Sequence, residues 1–96
     1  MVKHIVMYKL KDGSQREKER IRDIFYSMRG RIESLDSVEV GLDFLGSERS
    51  YDVALVCTFV DEEALAAYKV HRVHENEIKP QIHAARSASV SVDYIL

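Results

Sequence analysis

Tryptophan is absent from this sequence, cysteine and proline occur once each, and glycine occurs only four times. Each shortage excludes something. A single cysteine cannot close an internal disulfide, and Cys57, set within the apolar run Val53–Val60, reads as a small packing residue. With 46% hydrophobic residues and so little proline and glycine, the chain is a folded domain rather than a disordered or low-complexity segment. No stretch approaches the roughly 20 apolar residues that a membrane-crossing helix needs, so no membrane association is expected. Met1-Val-Lys-His4 runs straight into an amphipathic strand, without a signal-peptide apolar region, and cytoplasm is the expected compartment. A net charge of −2, with arginines scattered among acids, leaves no basic footprint for nucleic acid. Nucleotide-binding glycine loops, metalloprotease helices and nucleophile triads are missing too.

What is there is a regular alternation of strand and helix signals within one domain, residues 1–96. Val2 to Leu10 reads as a strand with His4, Val6, Tyr8 and Leu10 on one face. Ile5 and Met7 make the centre of its other face apolar as well. Ser14-Gln-Arg-Glu17 matches a capping box, and Ile21, Ile24, Phe25, Met28 and Ile32 follow at helical spacing toward Gly30 and beyond. The helix is expected to end near that glycine. Val38 to Leu45 predicts a second strand, carrying Val38, Val40, Leu42 and Phe44 on one side. Tyr51 to Val60, apolar on both faces, predicts a central third strand. Asp61 suits an N-cap, with Glu62 and Glu63 in the first turn and Ala64, Leu65 and Tyr68 as a short apolar stripe. That helix is expected to fray after Lys69 or His71. Pro80 is expected to terminate any short turn spanning His74 to Lys79. Ala84 to Leu96 predicts the last strand, Ala88, Val90, Val92 and Tyr94 alternating with Ser89, Ser91 and Asp93.

The order β-α-β-β-α-β is that of the ferredoxin-like fold, in the α+β class. Its helices cover one face of the sheet and leave the other bare. Ile5, Met7, Ala54, Val56 and Val60 would then lie exposed, and an apolar patch of that kind predicts an interface. A homodimer joined through the sheet faces is the simplest remedy, since one two-fold operation covers both.

Several stretches carry a resemblance: Val2-Lys-His-Ile-Val-Met-Tyr-Lys-Leu10, Val38-Glu-Val-Gly-Leu42, Glu48-Arg-Ser-Tyr-Asp-Val-Ala-Leu55 and Tyr68-Lys-Val-His-Arg-Val-His74. In this order the chain resembles the stress-responsive dimeric α/β-barrel (Dabb) family over its whole length. Arg72 stands where that family often has proline. The resemblance implies a homodimer whose two sheets form a barrel, with a cleft between sheet and helices in each subunit. A plant polyketide cyclase of the family works by intramolecular aldol condensation. Its pattern, carried onto this chain, implies His74 as base, Tyr68 as the group that orients it, and His4 and Tyr26 at the substrate. Tyr8, on the strand face of His4, joins the substrate-binding set.

Imidazole suits a general base because its ordinary pKa, about 6.5, lies near working pH. A neighbouring tyrosine or histidine can stabilise an enolate by hydrogen bonding. Two functional readings follow. One is a binding or accessory protein that takes an apolar or aromatic small molecule without catalysis. The other is a cofactor-free cyclase, lyase or isomerase using His74. Plainer roles compete with both: His74 bonded to a backbone carbonyl and fixing its turn, Tyr68 capping the core, His4 satisfied by a neighbour. His71 and His74 are three apart, but with only Glu75 or His83 to complete a set no metal site is expected. No cofactor is expected either. His71 is expected to face solvent, and Cys57, mid-strand and without a partner base, not to act as a nucleophile.

Overall fold

The computed structural model describes residues 1–96 and contains a single sheet with its helices on one side. Strand β1 spans Val2–Leu10, helix α1 Gln15–Tyr26, β2 Ser37–Leu42, β3 Val53–Phe59 and α2 Glu62–Val70. A π-helical turn, Val73–Ile78, runs into α3, Lys79–Ala85, and β4 spans Arg86–Ile95. All strand pairs are antiparallel, in the order β2-β3-β1-β4. This is the ferredoxin-like arrangement, with β1 and β3 at the centre as their two apolar faces require.

The covered face holds the core. Val2, Val6 and Leu10 from β1, Val38 and Val40 from β2, and Val53, Leu55, Cys57 and Phe59 from β3 pack against Ile21, Phe25, Leu65, Tyr68 and Ile82 from the helices. Ser14 caps α1 by accepting from the Glu17 N–H at 3.2 Å. The capping box is only half formed: the Glu17 carboxylate turns to Arg20 instead, and the Ser14 N–H donates to Asp12 at 2.9 Å. Asp61 caps α2 as expected, accepting from Ala64 N–H at 2.8 Å.

Several boundaries differ from expectation, β3 among them at Val53–Phe59 rather than Tyr51–Val60, and four have a local reason. Helix α1 stops at Tyr26, where the Ser27 hydroxyl takes the Ile24 carbonyl at 2.6 Å. Gly30, at φ +73°, then turns the chain, while Met28 and Ile32 stay buried beyond the helix. Strand β2 ends at Leu42 rather than Leu45, and Phe44 projects 96% exposed from the connection to β3. Pro80 does not terminate the preceding turn. It sits in the first turn of α3, where a missing N–H costs nothing and a fixed φ suits the helix. Because α3 reaches Ala85, β4 begins at Arg86 rather than Ala84.

The uncovered face matches expectation and extends it. The paired register lines up Met7 with Ala54 and Val90, Ile5 with Val56 and Val92, and Lys3 with Thr58 and Tyr94. Met7 is 43% and Val92 55% exposed, and Val60 lies open beyond the end of β3. No helix of the protein is long and apolar enough to cross a membrane.

Candidate functional site

Residues from β1, α2, the π-helical turn and β4 meet at one side of the covered face. The helices stop short of β4, whose Ser89, Ser91 and Asp93 share the covered side yet remain exposed. His4 pairs across the ladder with Cys57 on one side and Asp93 on the other. It is the one buried polar side chain, 8% exposed, and its Nδ1–H donates to the Asp93 carboxylate.

Tyr68, 2% exposed, forms the hub. Its ring lies 4.6 Å from that of His74, 5.1 Å from Phe59 and 6.2 Å from His4, measured between centroids. Burial drives its phenol far above the usual range, with the Cys57 thiol beside it adding to the effect. Tyr68 therefore stays neutral, with its ring packed against that of His74. Cys57 is fully buried and its thiol is pushed up to about 12, again by burial, so it is a packing residue without thiolate character.

The π-helical turn sets His74. Its Nδ1–H donates to the Lys69 carbonyl at 3.1 Å, which places the lone pair on Nε2. Burial holds the imidazole below its ordinary pKa, opposed in part by that carbonyl and by Glu75, 3.6 Å away. His74 is therefore neutral at neutral pH, in one tautomer, with its acceptor nitrogen available. His71, by contrast, has both nitrogens engaged: Nδ1 accepts from the Val73 N–H at 3.1 Å and Nε2–H donates to Glu33 at 3.1 Å. It fixes the start of the turn instead of facing solvent freely. A two-pronged Arg31–Glu77 pair, at 2.7 and 2.8 Å, ties the middle of the turn to the segment after α1.

A cavity of about 140 Å³ opens beside this cluster. Tyr8, Phe25, Ile78 and Ile82 form its walls, and His74, Lys79, His83, Arg86 and Ser89 its mouth. Tyr8 packs on Phe25 at 5.4 Å, and burial pushes its phenol up to about 12, so it is a hydrogen-bond donor there. Of the residues singled out from sequence, His74 and Tyr8 line the cavity, while Tyr68 and His4 stand behind it as a packed pair. Tyr26 lies elsewhere. Its hydroxyl accepts from the Val40 N–H at 3.0 Å and Arg29 rests on its ring, 3.9 Å from the centroid, so it fastens α1 to β2. The α1 residue in the cavity is its neighbour Phe25, because the helical stripe that faces the sheet ends one position earlier.

Sequence reasoning missed Asp93, Arg86 and the α3 residues. Asp93 had one legible sign, a charge in phase with Ser89 and Ser91 on a strand whose other face is apolar. That it lies opposite His4 is a matter of register.

The architecture has close counterparts. The stress-responsive A/B barrel domain (Dabb) family model matches residues 2–96. An uncharacterised Streptomyces coelicolor protein, SCO4036, is 31% identical over 78 residues, covering 78% of this chain and 80% of that protein. Among solved structures, a dimeric Bacteroides fragilis protein of unknown function with a ferredoxin-like fold superposes with a TM-score of 0.81. It is 26% identical and covers 99% of this chain and 95% of its own. The hydroxynitrile lyase of Passiflora edulis superposes with a TM-score of 0.82 at 18% identity, covering 99% and 92%.

Proposed function

Since the chain belongs to the stress-responsive A/B barrel domain family, we propose that it acts as a cytoplasmic homodimer, each protomer binding a small, largely apolar molecule in the cleft between sheet and helices. The observation that carries the binding role is the cavity itself. Apolar walls with a few convergent polar groups are what small-molecule sites are made of, and here they occur beside an imidazole held in one tautomer. The cavity is far smaller than a long polyketide chain requires. About 150 Å³ accommodates a benzene ring in an apolar protein cavity, so a ligand of one ring suits it. Filling the space tests the role. Ile82→Phe should leave the fold intact and abolish the saturable thermal shift given by small aromatic ligands; equal binding by the filled variant would refute it.

The dimer rests on the apolar rows of the open sheet face and on a relative of the same fold that is dimeric. A groove of about 430 Å³ at the end of that face, lined by Met7 and Ala54 among others, adjoins the same surface. A second copy related by a two-fold axis would cover the rows and the groove together. Light scattering should give about 22 kDa, twice the 11.1 kDa chain (2 × 11.1). A mass of one chain at micromolar concentration would remove this part of the proposal.

A second reading is favoured by the state of His74. A neutral imidazole whose Nδ1–H is tied to a carbonyl presents Nε2 as a base, and Tyr8 offers a hydroxyl in the same cavity. Together they suit removal of a proton α to a carbonyl, with the electron pair moving onto oxygen and the enolate accepting a hydrogen bond from Tyr8. His74→Ala should abolish deuterium exchange at the α-carbon of a bound ketone while ligand affinity changes little. Exchange that persists undiminished in this variant would exclude the base role.

A further inference from the structure

The mouth of the cleft carries one guanidinium, that of Arg86, with no acidic partner. Lys79, His83 and Arg86 line the same cavity as His74 and Tyr8, and none of the lining residues is an aspartate or glutamate. Lys79 has Glu75 at 3.5 Å. Arg86 enters none of the protein's ion pairs, although it is half-buried. A guanidinium is charged at every physiological pH, and partial burial without a partner is costly. Its charge is felt inside the cavity, where it acts on the Tyr8 phenol against the effect of burial.

Arg86 reaches this place only because β4 is irregular. Lys9 pairs with Ala88 and Leu10 with Arg86, which leaves Ser87 without a partner. Counting back by twos from Asp93, Ser91 and Ser89, the covered side would take Ser87, and Arg86 would fall on the open face with Ala88 and Val90. The extra residue reverses that assignment. It brings Arg86 to the side of Leu10, which is buried. The Ser87 hydroxyl donates to the Lys9 carbonyl at 3.2 Å and helps hold the bulge. Bulges commonly re-aim a side chain beside a functional site.

We propose that the ligand of this cleft is a small monocarboxylate of about one ring, whose carboxylate is held by Arg86 at the mouth. Lys79 adds positive charge beside it, and the apolar part lies against Phe25, Ile78 and Ile82. The inference rests on the cleft being a ligand site and names the class of ligand it selects. Arginine fits a planar carboxylate with two parallel N–H donors, a match that lysine does not reproduce.

Benzoate and benzamide, equal in shape and different in charge, serve as probes in an amide-resonance titration of the intact protein at pH 7.5. Benzoate should bind about tenfold more tightly, as one charge-assisted contact implies, shifting the amides of Tyr8, Phe25 and His74. Arg86→Gln should bring benzoate down to the benzamide level and leave benzamide unchanged, while Arg86→Lys should recover part of the preference. Equal affinity for the two probes would overturn the carboxylate assignment and leave the cleft reading standing. A preference that survives in Arg86→Gln would overturn the role of Arg86. Failure of both probes to shift any cleft resonance would overturn the cleft reading itself, and this inference with it. If Arg86→Gln does not fold, the two probes on the unmodified protein together with Arg86→Lys still decide.

Discussion

The two faces of the sheet share the same strands and invert each other's polarity at the edges. On the covered face a ladder row runs Val38, Cys57, His4, Asp93, apolar at β2 and polar at β4. On the open face the neighbouring row runs Glu39, Val56, Ile5, Val92, polar at β2 and apolar at β4. Each face thus places its polar edge where its cover ends. Helices seal β2, β3 and β1 from one side and stop before β4, so polar groups there remain wet, and Ser89 lines the cleft. On the other side the apolar groups run to the β4 edge and lie exposed. The difference teaches that β4 is not simply an edge strand; it borders the cleft with one face and the proposed interface with the other.

The largest way to break this comparison is to charge the open face. Ile5→Asp should separate the dimer, at a cost of about 3–6 kcal/mol for two apolar side chains per dimer. Sedimentation would then show a folded species of one chain. An unchanged dimer would mean that the partner sits elsewhere. Phe59→Ala, on the covered face, should cost about 3–5 kcal/mol of unfolding free energy, with the dimer contacts untouched. Denaturation at constant protein concentration would show the loss, and a change below about 1 kcal/mol would contradict the packing described here.

Smaller effects probe the polar edge. Asp93→Ala removes the acceptor of a buried imidazole N–H and should cost about 1–2 kcal/mol, whereas Val92→Ser next to it should weaken the dimer alone. Equal effects of the two on monomer stability would dissolve the distinction between the faces of β4. The smallest effect concerns pH. Burial lowers the His74 pKa in the folded state, so the unfolded chain binds more protons as pH falls below the ordinary value of 6.5. The associated stability is present above that pH and is lost progressively below it, until the folded imidazole also protonates. Denaturation of wild type and His74→Gln at pH 7.5 and pH 5.5 should show the steeper loss in the wild type. A steeper loss in the variant would reverse the sign assigned to burial.

Much of this molecule was legible before any fold was known, and particular residues show why. The alternation of Val2 to Leu10 and the double-faced run from Tyr51 to Val60 are properties of consecutive residues, so strand identity and centrality could be read directly. The caps at Ser14 and Asp61 are local as well. Tyr26 enters the substrate set only through the resemblance and lies on the β2 side, because a single 100° step along α1 decides between the cavity and that side. Phe44 fits the alternation of β2 but leaves the strand, since continuation depends on β3 having a residue to pair with it. Pro80 reads as a stop in isolation, yet is harmless once the turn before it is π-helical and α3 starts beside it.

The sequence by itself determined the order of elements, the two apolar faces of the central strands and the presence of histidines near both ends of a prospective cleft. These follow from short-range periodicity and capping chemistry, which act within a few residues. Only the tertiary structure decided that Asp93 meets His4, that Tyr68 packs against both His4 and His74, and that Arg86 turns into the cleft rather than away from it. Those outcomes depend on the register of β4 against β1 and on one unpaired residue, Ser87. Register is settled by the joint packing of distant segments, and one extra residue reverses the side on which every residue before it falls.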